Sequence, residues 1–378
     1  MCDNPLASKQ ASKQASKQAS KQASKQASKQ ASKQASKQIA WVNTAKAFGV
    51  VLVITGHLLY KTHFSLLNQL IYSFHMPMFF ILSGYVFHII QSQKTSTFIL
   101  KKVRRVLIPA VVFICVTIPL YFYVNRQNPF ELLSFLKRLF FIKGQLPYND
   151  PCWFFIVIFE IYVFVYFLFK ISDSLWFKIL VCLLSFIVIT VLYYFGLNRF
   201  LIFGIDRAIL GMGFFLFGHV FRELNCFEKQ SIAKDIFIFF CGLALSILFG
   251  LILNPKVSMY GFGLGNCLFF IISGLAGSCW FIILCKRLTT LLCKSKRVLV
   301  WVDWICKNSV LIIGTHYVLI TFIGIFLSVI HQNNKNVYDI GLVFMVTLIF
   351  VVYLPVCYFV NRYIPLLSVE KARRNNEC

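Results

Sequence analysis

The sequence predicts an all-α, polytopic membrane protein of about ten transmembrane helices with both termini in the cytoplasm, on three observations. The first is composition: of 378 residues 58% are hydrophobic, 17% are aromatic, with 42 Phe, and only 13% are charged. The mean hydropathy is +0.74, outside the range of soluble globular domains. The second is the recurrence of apolar runs of bilayer-crossing length, about 20 residues each, at 40–60, 68–90, 107–124, 152–171, 176–196, 206–223, 234–253, 263–285, 308–330 and 338–361. The third is the alternation of cation density between those runs, which the positive-inside rule demands.

The chain divides into a low-complexity arm at 1–38, a transmembrane domain at 39–363 and a tail at 364–378. The arm holds eight perfect copies of Ala-Ser-Lys-Gln at 7–38. A four-residue unit is too short to build a solenoid, and such identity points to the DNA. The tetranucleotide GCAA read through its frames, GCA AGC AAG CAA, encodes Ala-Ser-Lys-Gln. Strand slippage in such a run would shift the frame and switch translation on or off, the behaviour of phase-variable surface-structure genes in bacteria. As a peptide, the arm reads as a solvated segment whose lysines are drawn weakly to lipid headgroups.

The polar N-terminus lacks the short apolar core of a cleavable signal, so the run at 40–60 is expected to stay as an anchor. It contains Lys46 and His57. The run at 68–90 contains His75, two residues before Pro77 and expected to head the second helix at the outer level of His57; its imidazole reads either as interfacial or as part of a site. Before the run at 107–124 stand Lys94, Lys101, Lys102, Arg104 and Arg105. The run at 152–171 opens on Trp153 and carries Glu160, a carboxyl that needs a partner or a proton in so apolar a segment. Asp206 and Arg207 crowd the start of the sixth run, which makes it the least regular of the ten. Lys286, Arg287 and the cations up to Lys307 precede the ninth run, in which Asn308, Ser309 and His316 lie. After the tenth come Lys371, Arg373 and Arg374. With the N-terminus in the cytoplasm, the most basic segments share its side and an even number of spans returns the C-terminus there.

The formal charge of +25 is thus topology and attraction to anionic lipid, which excludes a nucleic-acid footprint. Thirteen cysteines are scattered within apolar runs without the paired spacing of a disulfide framework or zinc site, and read as small core residues. Neither Cys2 nor the terminal Asn-Asn-Glu-Cys matches a lipidation signal. No metal site and no permanently bound cofactor are expected.

An amine and an imidazole on one apolar helix are costly in hydrocarbon, and mark a functional site by default. Lys46-x10-His57, followed by His75-Met-Pro-Met-Phe-Phe-Ile-Leu-Ser-Gly84, resembles the opening signature of the membrane acyltransferase 3 family, bacterial enzymes that O-acetylate surface glycans. Weaker similarities run from about residue 40 to 360: Lys101-Lys102-Val-Arg104-Arg105 leading to Pro109, Cys152-Trp153-Phe154-Phe155, Gly213-Phe-Phe-Leu-Phe-Gly218-His219, and Lys307-Asn308-Ser309 followed by His316. The family's usual basic residue in the first motif is arginine, where this chain has Lys46. After the last run there is no room for the esterase-like domain some members carry, so a membrane domain that delivers acetyl directly is expected.

The resemblance implies an inner-membrane O-acetyltransferase. Its donor would be cytoplasmic acetyl-CoA, and its acceptor a hydroxyl of lipopolysaccharide, lipooligosaccharide or a related lipid-linked saccharide. Eleven residues of helix rise about 16 Å and complete nearly three turns, so Lys46 and His57 project in similar directions from opposite halves of the membrane. His57 is then the general base toward the acceptor, with a transient acyl-histidine as the chemical alternative. Lys46 is assigned to the catalytic pair, and Lys102, Arg104 and Arg105 to the CoA phosphates, where they could equally serve orientation alone. His75, Trp153, Glu160, Ser309 and His316 are candidate supporting residues; His316 and Asn308 could instead stitch helices together, and His219 sits near a helix end. A transporter or flippase of a glycan precursor is the other function class. It is disfavoured because no second copy of the 46–84 block appears.

Overall fold

The computed structural model describes residues 40–59, 65–89, 93–124, 133, 149–227, 231–255, 257–293, 295–333 and 335–364. The repeat arm and the tail lie outside them. The described residues build α1 (Ala40–Leu59), α2 (Ser65–Tyr85), α3 (Thr95–Lys102), α4 (Ile108–Val124), α5 (Trp153–Ile171), α6 (Leu175–Tyr194), α7 (Ile205–Glu223), α8 (Ile232–Ile247), α9 (Cys267–Leu292), α10 (Lys296–Asn333) and α11 (Lys335–Tyr363). Five-residue π-helical segments, Val103–Leu107 and Leu248–Ile252, join α3 to α4 and extend α8. Single-turn π-bulges concentrate at functional positions, and the first holds Arg104 and Arg105.

Among the described residues eight helices are long and apolar enough to cross a membrane. The ten apolar runs all fall on helices, but two fail that test for physical reasons. The α4 helix spans only 17 residues, and α7 carries Asp206, Arg207, Arg222 and Glu223. Both nevertheless pack in the bundle. With no water to satisfy the backbone, helices that keep every hydrogen bond internal are the expected solution in hydrocarbon.

Capping residues set several helix starts. The Ser174 hydroxyl accepts the Phe177 N–H at 3.3 Å, Ser231 does the same for Lys234, and the Asn266 carboxamide oxygen takes the N–H groups of Leu268 and Phe269. Each satisfies an orphan donor of a first turn.

At the centre, α2 packs along α7 and α9, with α6 behind α7 and α8 behind α9. The α2–α7 approach is governed by two glycines. A Cβ on Gly84 would run into the Phe215 carbonyl, and one on Gly218 into that of Ile81. Small residues that let backbones meet drive association where hydrophobic burial between helices offers little. Elsewhere α6 turns Leu180, Leu183, Leu184, Ile187 and Val191 outward, an apolar face suited to lipid.

Between α8 and α9 the chain folds back as a tight turn, Ser258 and Gly263 exchanging both backbone hydrogen bonds at 2.8 and 3.0 Å. The Asn254 side chain fastens its base to Leu264 and Asn266. Gln69 of α2 donates to the carbonyls of Gly250 and Asn254. These bonds wedge the turn among α5, α6 and α7.

Candidate active site

Near the C-terminal end of α1, His57 faces a small cavity of ≈ 40 Å³ whose wall includes Tyr72, His75, Trp153, Phe154, Ser258 and Tyr260. Three of the histidines singled out in the sequence meet here. The His57 and His316 ring centroids are 5.2 Å apart, and the Tyr72 ring stands between His57 and His75, at 6.1 and 5.0 Å from them. His75 is buried and ten residues inside α2. The expectation that it heads its helix is corrected: α2 begins at Ser65, earlier than the apolar run suggests, and Asn68 and Gln69 donate to the carbonyls of Gly56 and Gly250 within the bundle.

Hydrogen bonds give the three imidazoles different capacities. His75 Nδ1 lies 2.8 Å from the Ile71 carbonyl, and His316 Nδ1 lies 2.9 and 3.2 Å from those of Ile313 and Ile312. A carbonyl only accepts, so Nδ1 carries the proton in both rings and Nε2 keeps a lone pair when the ring is neutral. His316 Nε2 is buried with no partner among the described residues. His57 alone of the three is not tied to a carbonyl: its Nδ1 lies 3.3 Å from the Tyr72 hydroxyl, a partner that can give or take a proton. With Nδ1–H donating to Tyr72, Nε2 presents a lone pair to a substrate, the form a general base needs.

The turn between α8 and α9 completes the wall. The Tyr260 hydroxyl donates to Asp150 Oδ1 at 2.5 Å, its carbonyl accepts from Arg207 Nε at 2.8 Å, and its ring lies 6.4 Å from Trp153. Trp153 lines the same cavity as His57.

At the other end of the bundle a cluster of cations forms. Lys102, at the end of α3, is half-buried in an aromatic cage, its Nζ 3.5 Å from the Tyr162 ring centroid and 5.4 and 5.5 Å from those of Phe87 and Phe98. Burial, then the neighbouring charges of Arg105 and Lys46, push its amine down to about 7. Lys46 is therefore close to the CoA-phosphate candidates, while Arg104 and Arg105 are exposed. Lys46 and His57 share α1 but belong to opposite ends, the separation of about 16 Å that the helix rise demands.

The remaining candidates fall elsewhere. Glu160 is half-buried with Oε2 unpartnered among the described residues, and its charge interacts with Asp206 and Arg207 rather than with the histidines. Ser309 donates to the Cys306 carbonyl and does not line the cavity. Asn308 accepts from Asn361 of α11 at 3.0 Å. His219 sits between the Gly84 carbonyl and Glu223, at 3.3 and 3.4 Å. These last two fasten helices. Among the described residues no group of three His, Cys, Asp or Glu is placed to hold a metal ion.

Sequence reasoning passed over Tyr72, Tyr317, 5.3 Å from His57, and the Ser258–Tyr260 wall. Tyr72 had a signal: it precedes His75 by three residues, so both lie on one helix face. The turn had only its glycines.

No curated protein and no solved structure is significantly similar to this chain. The family profile described as an acyltransferase domain matches residues 39–362, from the threshold of α1 to the last turn of α11. That span carries both the histidine cavity and the cation cluster, and by it the chain belongs to the acyltransferase 3 family, as a multi-pass membrane acyltransferase.

Proposed function

We propose that the protein is an O-acetyltransferase of a bacterial inner membrane, moving acetyl from cytoplasmic acetyl-CoA to a hydroxyl of an envelope glycan. Lipopolysaccharide, lipooligosaccharide or a lipid-linked precursor is the preferred acceptor. The observation that carries the reading is His57: a histidine free to act through Nε2, held by Tyr72 at a cavity one helix length away from a cluster of cations suited to phosphate. His57 takes the proton of the acceptor hydroxyl as its oxygen attacks the thioester carbonyl. The C–O bond forms, the C–S bond breaks, and the departing thiolate recovers that proton from the imidazolium. His316 and His75, with tautomers fixed by backbone carbonyls, pack around His57 and Tyr72 and hold the His57 ring in place. Membranes holding the full chain, given [¹⁴C]acetyl-CoA and de-O-acetylated envelope glycan, should label the glycan. A flippase would move glycan without labelling it, and that result would replace this reading.

The donor assignment carries a pH signature. Lys102, pushed down to about 7, is charged below that pH and neutral above it. CoA phosphates, with a second pKa of about 6, are already close to fully charged there. The apparent KM for acetyl-CoA should therefore rise by about three- to tenfold between pH 7 and 8.5 as the charge-assisted contact is lost. Lys102→Arg, which stays protonated, should flatten the profile. A wild-type KM independent of pH over this range would remove Lys102 from the donor site. Neutralising Lys46 or Arg105 should likewise raise KM more than it lowers kcat, and Lys46→Arg should stay active.

The arm at 7–38 is proposed to be the translated trace of a DNA switch. Removing whole Ala-Ser-Lys-Gln units in frame should leave the glycan acetylated at equal protein level, whereas one added tetranucleotide should eliminate the protein. Acetylation that scaled with the number of units would give the arm a direct role instead.

A further inference from the structure

A second, larger cavity of ≈ 590 Å³ opens between the end of α6, the start of α7 and the far side of the Ser258–Gly263 turn, lined by Tyr193, Asn198, Arg199, Asp206, Arg207 and Phe262, with Gly261 and Gly263 at the turn itself. We propose that it is the acceptor subsite, and that it selects a saccharide bearing an anionic group, a phosphate or a sugar carboxylate. This rests on the acetyl-transfer reading above and adds what the acceptor must carry.

Size comes first. The His57 cavity, at ≈ 40 Å³, admits a reacting group and little more, whereas the second lies within the roughly 300–1,000 Å³ of clefts that hold whole small molecules. The two share one wall. Tyr260 lines the first while Gly261, Phe262 and Gly263 line the second, so a ligand seated in the larger cavity needs only to reach around the turn to bring a hydroxyl toward His57.

Charge comes second. Two guanidinium groups face one carboxylate. Arg207 is buried and spends Nε on the Tyr260 carbonyl and one terminal nitrogen on Asp206, at 2.8 and 2.7 Å. The Asp206 carboxylate is committed to Arg207 and to the Asn198 side chain. Arg199 is exposed and makes no ion pair among the described residues, so its guanidinium is left to meet a ligand. A guanidinium presents parallel N–H groups that match phosphate or carboxylate.

The aromatic lining comes third. The Phe262 ring lies 5.8 Å from Tyr193 and 5.4 Å from the Arg207 guanidinium. Phe262 holds a left-handed backbone, φ 53°, while the Tyr193 hydroxyl accepts the Leu264 N–H. Rings fixed in this way suit the apolar faces of sugars. The backbone at Gly263 is compatible with any side chain, and a Cβ there meets open space, so a larger residue would stand in the cavity without disturbing the turn.

The test uses the full chain in proteoliposomes, with de-O-acetylated envelope glycan of the host as acceptor, either intact, dephosphorylated or carboxyl-reduced, and reads both [¹⁴C]acetyl transfer and binding of tritiated glycan. Arg199→Glu should raise the KM and the Kd for intact glycan about tenfold, the loss expected for a charge-assisted contact, with the KM for acetyl-CoA unchanged. Gly263→Leu should weaken glycan binding similarly, and its elution as a monodisperse peak would exclude misfolding. One of the two stripped glycans, whichever lost the recognised anion, should bind wild type as weakly as Arg199→Glu binds the intact form, with no further loss in the variant. The proposal is overturned if both variants keep wild-type glycan affinity. It is equally overturned if the Arg199→Glu effect persists on both stripped glycans, or disappears when phosphatidylglycerol is replaced by phosphatidylcholine, since the cavity would then hold a lipid headgroup. Glycan binding that depends on Arg199 without acetyl transfer would sink the transferase reading and leave this subsite standing.

Discussion

His57→Ala should reduce acetyl transfer by about 10²–10⁴-fold, the usual cost of losing a general base, while the protein inserts at its normal level. The reason lies in the hydrogen bonds around the three histidines. In His75 and His316 the Nδ1 proton is spent on backbone carbonyls, so neither ring can exchange tautomers without breaking its helix anchor. His57 has the Tyr72 hydroxyl in that position, at 3.3 Å, and its side chain lines the cavity. Replacing His75 or His316 should therefore cost less than replacing His57, because they act through the orientation of their neighbour. Tyr72→Phe, which frees the His57 ring but keeps its nitrogens, should fall between them and wild type. Mass spectrometry of the glycan, with immunoblotting for protein level, measures all four. Unchanged acetylation in His57→Ala would take the residue out of the mechanism. A stable acetyl adduct on His57 after exposure to acetyl-CoA alone would favour the acyl-histidine route over direct attack.

What could be read in the sequence follows from what has a periodic or energetic signature. Apolar length and charge placement locate helices, so the ten runs all lie on helical segments, and the cost of ionisable groups in hydrocarbon picks out Lys46, His57, His75 and His316 one at a time. His57 and His75 line one cavity and His316 packs against His57, a convergence that depends on how α1, α2 and α10 pack and that no local pattern encodes. Apolar length put the start of α2 at 68, three residues late, and it could not show that Asn68 and Gln69 find the carbonyls of Gly56 and Gly250 within the bundle. The Ser258–Gly263 turn was legible as a turn but not as a wall, since its place beside Trp153 and Arg207 is set by Asn254, Gln69 and Asp150, residues far apart in the chain. Ser309 illustrates the opposite limit: a hydroxyl in a family-like block whose bond goes to its own helix.

Gly218→Val should abolish the folded protein, where a change on the outward face of the bundle should not. The site depends on α2, which supplies Tyr72 and His75, and α2 is seated against α7 through backbone contact at two levels. A Cβ at Gly218 would overlap the Ile81 carbonyl, and one at Gly84 would overlap that of Phe215. Backbone cannot rotate aside as a side chain can, so relief requires the helices to separate, unseating Phe214 and Phe215, both fully buried. Overpacking commonly costs 1–3 kcal/mol and more where the neighbour is rigid; at about 3 kcal/mol the folding equilibrium falls roughly a hundredfold. Valine also brings branching at the colliding carbon, which makes it worse than alanine there. Leu180→Ala, on the outward face of α6, changes the side chain by the same number of heavy atoms but touches no such contact and should elute as wild type does. Size-exclusion chromatography in detergent after mild heating compares the variants directly. A Gly218→Val protein as monodisperse and heat-resistant as wild type would mean that α2 and α7 do not approach through their glycines, and that Tyr72 and His75 are held in place by α9 and the turn alone.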